Sequence, residues 1–373
     1  MKIKTPVLIK NILKLIKNDF VFITALTLAL FSCFFVKPKI QYIDFKVIIS
    51  LFSLMIVIKA FEDLKILDKA AVSLISSCKS RKTISLALTF LCFFSSMLIT
   101  NDVALITFVP LSLIIGRKTG IPMMKTIILQ TLAANIGSSL TPMGNPQNLY
   151  LFSFYNLSLL QFFHTMILIG ILGFIWLYLL NMKMKNQPIE VYFNKVNIIN
   201  KGKFIIWLLV FLIIILSIFR FIDFRLTLII TVLAAFFMNK KLFAKVDYLL
   251  LVTFVCFFIF IGNMSSIDII DKYLIGLLHT SKMSYFTSLT VSQFISNVPC
   301  AILLSHFTDK WQSLLLGVNI GGSGTIIASL ASVISYKLFI KNNLQSGKKY
   351  LIQFTIYNII TLIVFSIAGL FIL

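Results

Sequence analysis

The fold class this sequence predicts is an all-α polytopic membrane protein built from two inverted-topology repeats, each with a re-entrant hairpin and a broken transmembrane helix. Three observations predict it. The 373 residues are 59% hydrophobic and 12% charged, with a mean hydropathy of +1.00. Apolar runs long enough to cross roughly 30 Å of hydrocarbon recur along nearly the whole chain. Basic residues are confined to short segments between those runs, where they act as topology marks. Two local sequence matches then relate the first half to the second.

Charge and composition exclude several classes. The net charge of +22 comes from scattered interhelical clusters, so no nucleic-acid partner is expected. Cys33, Cys78, Cys92, Cys256 and Cys300 form no C-x-x-C pair and read as free thiols. His164, His279 and His306 are mutually distant and lack ligand spacing. No cofactor is expected beyond a coupling ion.

The elements follow in order. Residues 1–19 carry five lysines and read as a cytoplasmic amphipathic segment before a retained first span, because Lys37, Pro38 and Lys39 stand where a cleavage site would be. The second span, about 45–61, returns to a segment holding Lys65, Lys69, Lys79, Arg81 and Lys82. Both ends of the apolar stretch 83–116 then carry basic marks, and its arms look too short for two crossings. A re-entrant hairpin with its tip at Thr100-Asn101-Asp102 is the economical reading; two short helices with Asp102 in an external turn is the alternative. A broken helix over about 121–156 and a return span complete a first repeat over 20–182. A cytoplasmic linker, 183–203, precedes a second repeat plus one extra helix over 204–373. That half holds a hairpin at about 283–307, poor in positive charge at both ends, and a broken helix at about 311–340. The loop 37–46 is awkward, external by this count yet bearing three lysines.

LITNDVALI (98–106) lines up with FISNVPCAI (294–302), setting Asn101 against Asn297 at an offset of 196; LAANIGSSLT (132–141) lines up with LGVNIGGSGT (316–325), setting Asn135 against Asn319 at an offset of 184. Either match alone fits close helix packing through small residues. Two in the same order, each a hairpin followed by a Gly-interrupted helix, indicate a repeat. Five crossings between the hairpins, an odd number, turn the second copy upside down. In GSSLTPMGNPQN, Gly137, Gly144, Pro142 and Pro146 interrupt the helix and free backbone groups that lipid could not satisfy. Lining a cavity, those groups can ligate a small cation through carbonyls and an anion through amides and half-helix N-termini.

These residues resemble the ion transporter superfamily of divalent-anion/sodium symporters, citrate transporters, arsenite permeases and one group of sodium/proton antiporters. The resemblance covers about residues 45–340. By position it implies a substrate and ion site formed by Thr100, Asn101, Asp102, Asn135, Gly137, Ser138, Thr141, Gly144, Asn145 and Asn148 with Ser296, Asn297, Asn319, Gly321, Ser323 and Thr325. It places candidate sodium at the Asn101 and Asn297 tips, and it implies a homodimer with an elevator-like alternating-access movement.

The third tip residue departs from the dicarboxylate pattern: Asp102 in one hairpin and Val298 in the other stand where a hydroxyl is usual. An Asn-Asp tip is more similar to the arsenite permease branch. A carboxylate inside the membrane is costly to keep charged, which suits a proton or sodium carrier; capping the arm that begins there is the structural alternative. The function expected is ion-coupled secondary transport, with sodium or proton as coupling ion, of a small carboxylate or inorganic oxyanion. A sodium/proton antiporter is the alternative, and a passive anion channel the alternative from another class. No enzyme is expected, because the G-x-S-G at Gly321–Gly324 has no histidine after it. The expected location is a bacterial cytoplasmic membrane, with the N-terminus cytoplasmic and the lipid bilayer as partner.

Overall fold

The computed structural model describes residues 20–188, 198–342 and 344–373. The amphipathic segment expected over 1–19 and part of the linker lie outside the described residues. Among those residues the chain is helical, apart from one isolated bridge between Ser80 and Pro188.

The first half runs α1 (Phe20–Cys33), α2 (Phe45–Asp63), α3 (Ile66–Ile75), α4 (Arg81–Ile99), α5 (Asn101–Thr119), α6 (Met124–Ser138), α7 (Pro146–Phe154) and α8 (Leu159–Met182). After α9 (Lys201–Ile218) the second half repeats the series: α10 (Phe224–Met238), α11 (Tyr248–Met264), α12 (Asp268–Leu277), α13 (Ser281–Ile295), α14 (Asn297–Ser305), α15 (Trp311–Gly321), α16 (Leu330–Asn342) and α17 (Gly347–Leu370). Side-chain caps fix the starts of several. Asp44 accepts from the amides of Lys46 and Val47 to open α2, Ser80 forms a capping box with Thr83 at α4, and Thr280 accepts from Met283 at α13.

The two halves exchange contacts reciprocally. Helix α1 packs on α11 and α10 on α2, while α7 lies against α14 and α16 against α5. Small residues allow the closest approaches: Gly317 and Gly321 of α15 face Ser288 and Ser292 of α13, one turn apart on each helix. Inversion is visible where the halves touch. Thr131 bonds Ser335 and Asn135 bonds Ser332, so α6 and α16 run antiparallel.

The hairpins stop at the depth of the breaks. Helix α4 runs parallel to α6, with Arg81 bonded to the Pro122 carbonyl, Thr126 to Ser85, and Thr141 to the Met97 carbonyl. Its tip is therefore level with the break, and the nine residues of α7 continue about 13 Å beyond. The arms are longer than the expected 83–116: α4 and α5 have 19 residues each, and Arg81–Ile99 is long and apolar enough to cross a membrane alone. Basic residues do not mark the helix limits: Arg81, Arg117 and Lys118 lie inside the helices, and α5 ends only at Gly120, whose φ of 69° terminates it. The second hairpin is shorter, with arms of 15 and nine residues. Two further helices were not expected. Helix α3 carries Lys69, while α12 bends 101° from α11 and has no buried residue.

Candidate functional site

Both helix breaks have the same register. At the offset of 184, Pro142–Gly144 matches Ile326–Ala328 as a short 3₁₀ turn, and Pro146 matches Leu330 as the first residue of the outgoing half-helix. Both hairpin tips share a backbone as well. Thr100 has φ 72°, ψ 153° and Ser296 has φ 74°, ψ 154°, a region costly for any residue but glycine. Eight helix ends gather around these four elements. Helices α4, α6, α13 and α15 arrive C-terminus first, and α5, α7, α14 and α16 leave from their N-termini.

Asn135 joins the halves. Its Oδ1 accepts from Asn101 Nδ2 at 3.2 Å and from Ser329 Oγ at 3.0 Å; its Nδ2 donates to the Gly322 carbonyl and to Ser332 Oγ, both at 3.3 Å. Asn319 makes the reciprocal contact, donating to Asn148 Oδ1 at 2.7 Å. Since 332 and 148 differ by 184, these two cross-half bonds are symmetry mates. Asn297 lies on the Gly322 backbone, where a Cβ would sit 2.8 Å from its Nδ2. Asn101 and Asn297 are therefore both buried and linked through Asn135 and Gly322.

The remaining sequence-selected residues divide into two groups. Ser138, Asn145 and Asn148 belong to the centre: Asn145 donates to Ser138 Oγ, Ser138 donates to the Asn135 carbonyl, and Asn148 donates to the carbonyls of Ser138 and Thr141. Gly137 and Gly144 permit close packing, the first against the Phe93 carbonyl and the second against the Ser138 backbone. Ser323 is buried, and Ser296 Oγ reaches the Ala328 carbonyl at 3.4 Å. Thr141 and Thr325 instead point to the hairpin arms, donating to the carbonyls of Met97 and Gln293, and the Gly321 carbonyl accepts from Gln293.

Three side chains in this region carry buried polar atoms without a hydrogen bond: Asp102 Oδ1, both amide atoms of Gln147, and Asn319 Oδ1. Unsatisfied buried groups call for an explanation such as an ion or water. Gln147 was missed from sequence, as were Ser329 and Ser332. Carrying the 184 offset on from Asn145 and Asn148 finds both serines. Asp102 is the sole charged side chain in 98–106, 132–148, 294–302 and 316–332.

A family profile described as "Citrate transporter" matches residues 8–310. The "Uncharacterized transporter MJ0456" of Methanocaldococcus jannaschii is 39% identical over 334 residues, covering 88% of this chain and 90% of that protein. The "Inner membrane protein YbiR" of Escherichia coli is 28% identical over 313 residues, covering 83% and 84%. Among solved structures, the YdaH transporter of Alcanivorax borkumensis matches with a TM-score of 0.60 at 14% identity, over 88% of this chain and 85% of that one, which is a likeness of fold. Breaks paired in register, tips that converge and a profile match over most of the length lead to one conclusion: this chain is a multi-pass membrane transporter belonging to the citrate transporter family.

Proposed function

We propose that the chain is an ion-coupled secondary transporter of a small anion, a carboxylate or an inorganic oxyanion, working by an elevator-like alternating access. One observation carries this reading: four half-helix N-termini and four C-termini from inverted halves meet around Asn135 and Asn319. Each helix end bears roughly half an elementary charge, positive at the N-terminus and negative at the C-terminus. Such a centre attracts an anion and a cation together, which fits coupled transport and not a passive pore. No Lys or Arg stands in the paired motifs, so the anion would be held by amides and Asn side chains. Asp102, with a buried Oδ1 lacking a partner, is the group fitted to carry sodium or a proton.

The same carboxylate favours a second reading, a sodium/proton antiporter with no anionic substrate. Lysine placement supports a cytoplasmic N-terminus, the inner-membrane relative supports the bacterial cytoplasmic membrane, and the family resemblance supports a homodimer.

The test is uptake of labelled citrate or arsenite into proteoliposomes under imposed sodium or proton gradients. Gradient-driven accumulation is expected in the wild type, and Asp102→Asn should lose its ion dependence. An Asp102→Asn protein with unchanged ion dependence would reject the coupling role. Sodium/proton exchange without any accompanying anion flux would select the antiporter.

A further inference from the structure

The two breaks match in register but not in what fills them. In the second half, Gln293 reaches from α13 into the break: its Nε2 donates to the Gly321 carbonyl at 2.8 Å and its Oε1 accepts from the Thr325 amide at 2.8 Å. An interrupted helix leaves groups of this kind under-bonded, and here one side-chain amide takes up the Thr325 amide and a second bond to the Gly321 carbonyl, which also accepts from the Gly324 amide. Gly324 makes the room, since a Cβ there would collide with the Gln293 carboxamide.

At the offsets of 196 and 184, the first-half counterparts of Gln293 and Gly324 are Met97 and Leu140. The hydroxyl-to-carbonyl bond is kept, Thr141 Oγ1 to Met97 matching Thr325 Oγ1 to Gln293, so the positions are true equivalents. Only the plug is missing. Leu140 turns instead to pack on Gly170. The reverse pattern holds for groups that lack a partner. Asp102 Oδ1 and the Gln147 amide are buried without hydrogen bonds, while their second-half counterparts Val298 and Ala331 carry no polar side-chain atom; in the second half Asn319 Oδ1 is buried in the same unpartnered way. The first half carries more unpartnered polar atoms, and the second has its break filled by Gln293.

We propose that Gln293 is a permanent side-chain plug of the second break, so that each transport cycle loads a single coupling cation, in the first half, where a carrier with matching halves would load two. The proposal rests on the reading of the first tip as the coupling site. Gln293 is then a positioning residue that sets stoichiometry, and Gly324 is its necessary companion.

Sodium chloride titration of the purified full chain tests this, with binding heat and proton release measured on the same samples. The wild type is expected to take up one equivalent, with a Hill coefficient of one, and Asp102→Asn to lose it. Gln293→Ala and Gly324→Ala dislodge the plug by different routes. Both should add a second equivalent that persists alongside Asp102→Asn, whereas a structural role alone would lower the melting temperature and leave the count at one. Two equivalents in the wild type, one of them lost in Asp102→Asn, would overturn the plug and keep the coupling reading. Wild-type binding in Asp102→Asn would overturn both. If neither plug variant folds, Met97→Gln combined with Leu140→Gly transplants the plug into the first break: loss of the single equivalent supports the proposal, and its retention refutes it.

Discussion

Between the half-helices of the first break, residues 139–145 are buried with Thr141 as the partial exception, whereas in the second break Thr325 and Ile327 are exposed, as is Phe294 on the adjoining arm. The elements that carry these side chains match in register, down to the 3₁₀ turn and the strained tip. Duplication has thus kept the parts that open a helix and gather its ends, and divergence has acted on what those ends are offered. Unpartnered polar side chains are more numerous at the first break, and Gln293 satisfies backbone groups at the second.

The sharpest way to break the comparison is at the turn itself. Gly144 packs against the Ser138 backbone, where a Cβ would collide with the carbonyl oxygen and sit 2.8 Å from Cα, yet its counterpart Ala328 already carries a Cβ and is fully buried. Gly144→Ala should therefore cost about 3 kcal/mol or more through overpacking, with loss of monodisperse protein in detergent. Ala328→Gly should stay within about 1 kcal/mol of wild type. Equal melting temperatures for the two variants would show that the first turn is not tighter than the second.

Much of this was legible from Asn-Ile-Gly and from the Asn at each tip, because a repeat that must rebuild the same break keeps the residues that make it. The hairpin arms exceed the expected bounds because charge does not limit a helix here: Arg81 is the first residue of α4, half-buried, with its guanidinium on the Pro122 carbonyl. Helices α3 and α12 escaped notice since 10 residues with charges cannot announce a span, though Ile269, Tyr273 and Ile275 leave a largely exposed amphipathic surface. Gln293 was the subtler omission. Its signal is a pairwise one, a glutamine near the end of a serine- and threonine-rich arm together with an extra glycine in the following break, and neither residue alone is distinctive.

A second contrast concerns the two central asparagines. Asn135 bonds Asn101, Ser329, Ser332 and the Gly322 carbonyl, so truncation strands several buried partners at once; Asn319 holds one cross-half bond, to Asn148, and a bond within its own helix. Asn135→Ala should destabilise by about 3 kcal/mol, since each stranded group adds to the loss. Asn319→Ala should lose about 1 kcal/mol, the scale of a single interhelical bond in a membrane. Thermal unfolding in detergent measures both, and equal losses would mean that the network is not centred on the first half.

The smallest effect is expected at the tips. Thr100 and Ser296 hold φ above 70°, a conformation that persists in non-glycine residues only when the surroundings enforce it. Glycine substitution relieves that strain, and the gain should be about 1 kcal/mol at Thr100, where β-branching makes the conformation costliest. At Ser296 the gain should be smaller, because the hydroxyl contacts to Asn297 Oδ1 and the Ala328 carbonyl, at 3.4 Å each, are lost with it. Stability and transport should move in opposite directions: the strained residue fixes the start of the next helix and so aims Asn101 or Asn297 at the centre, and a freer tip would melt later and carry more slowly. A Thr100→Gly protein that gained stability and kept full transport would show that the strain is incidental to how the asparagine is presented.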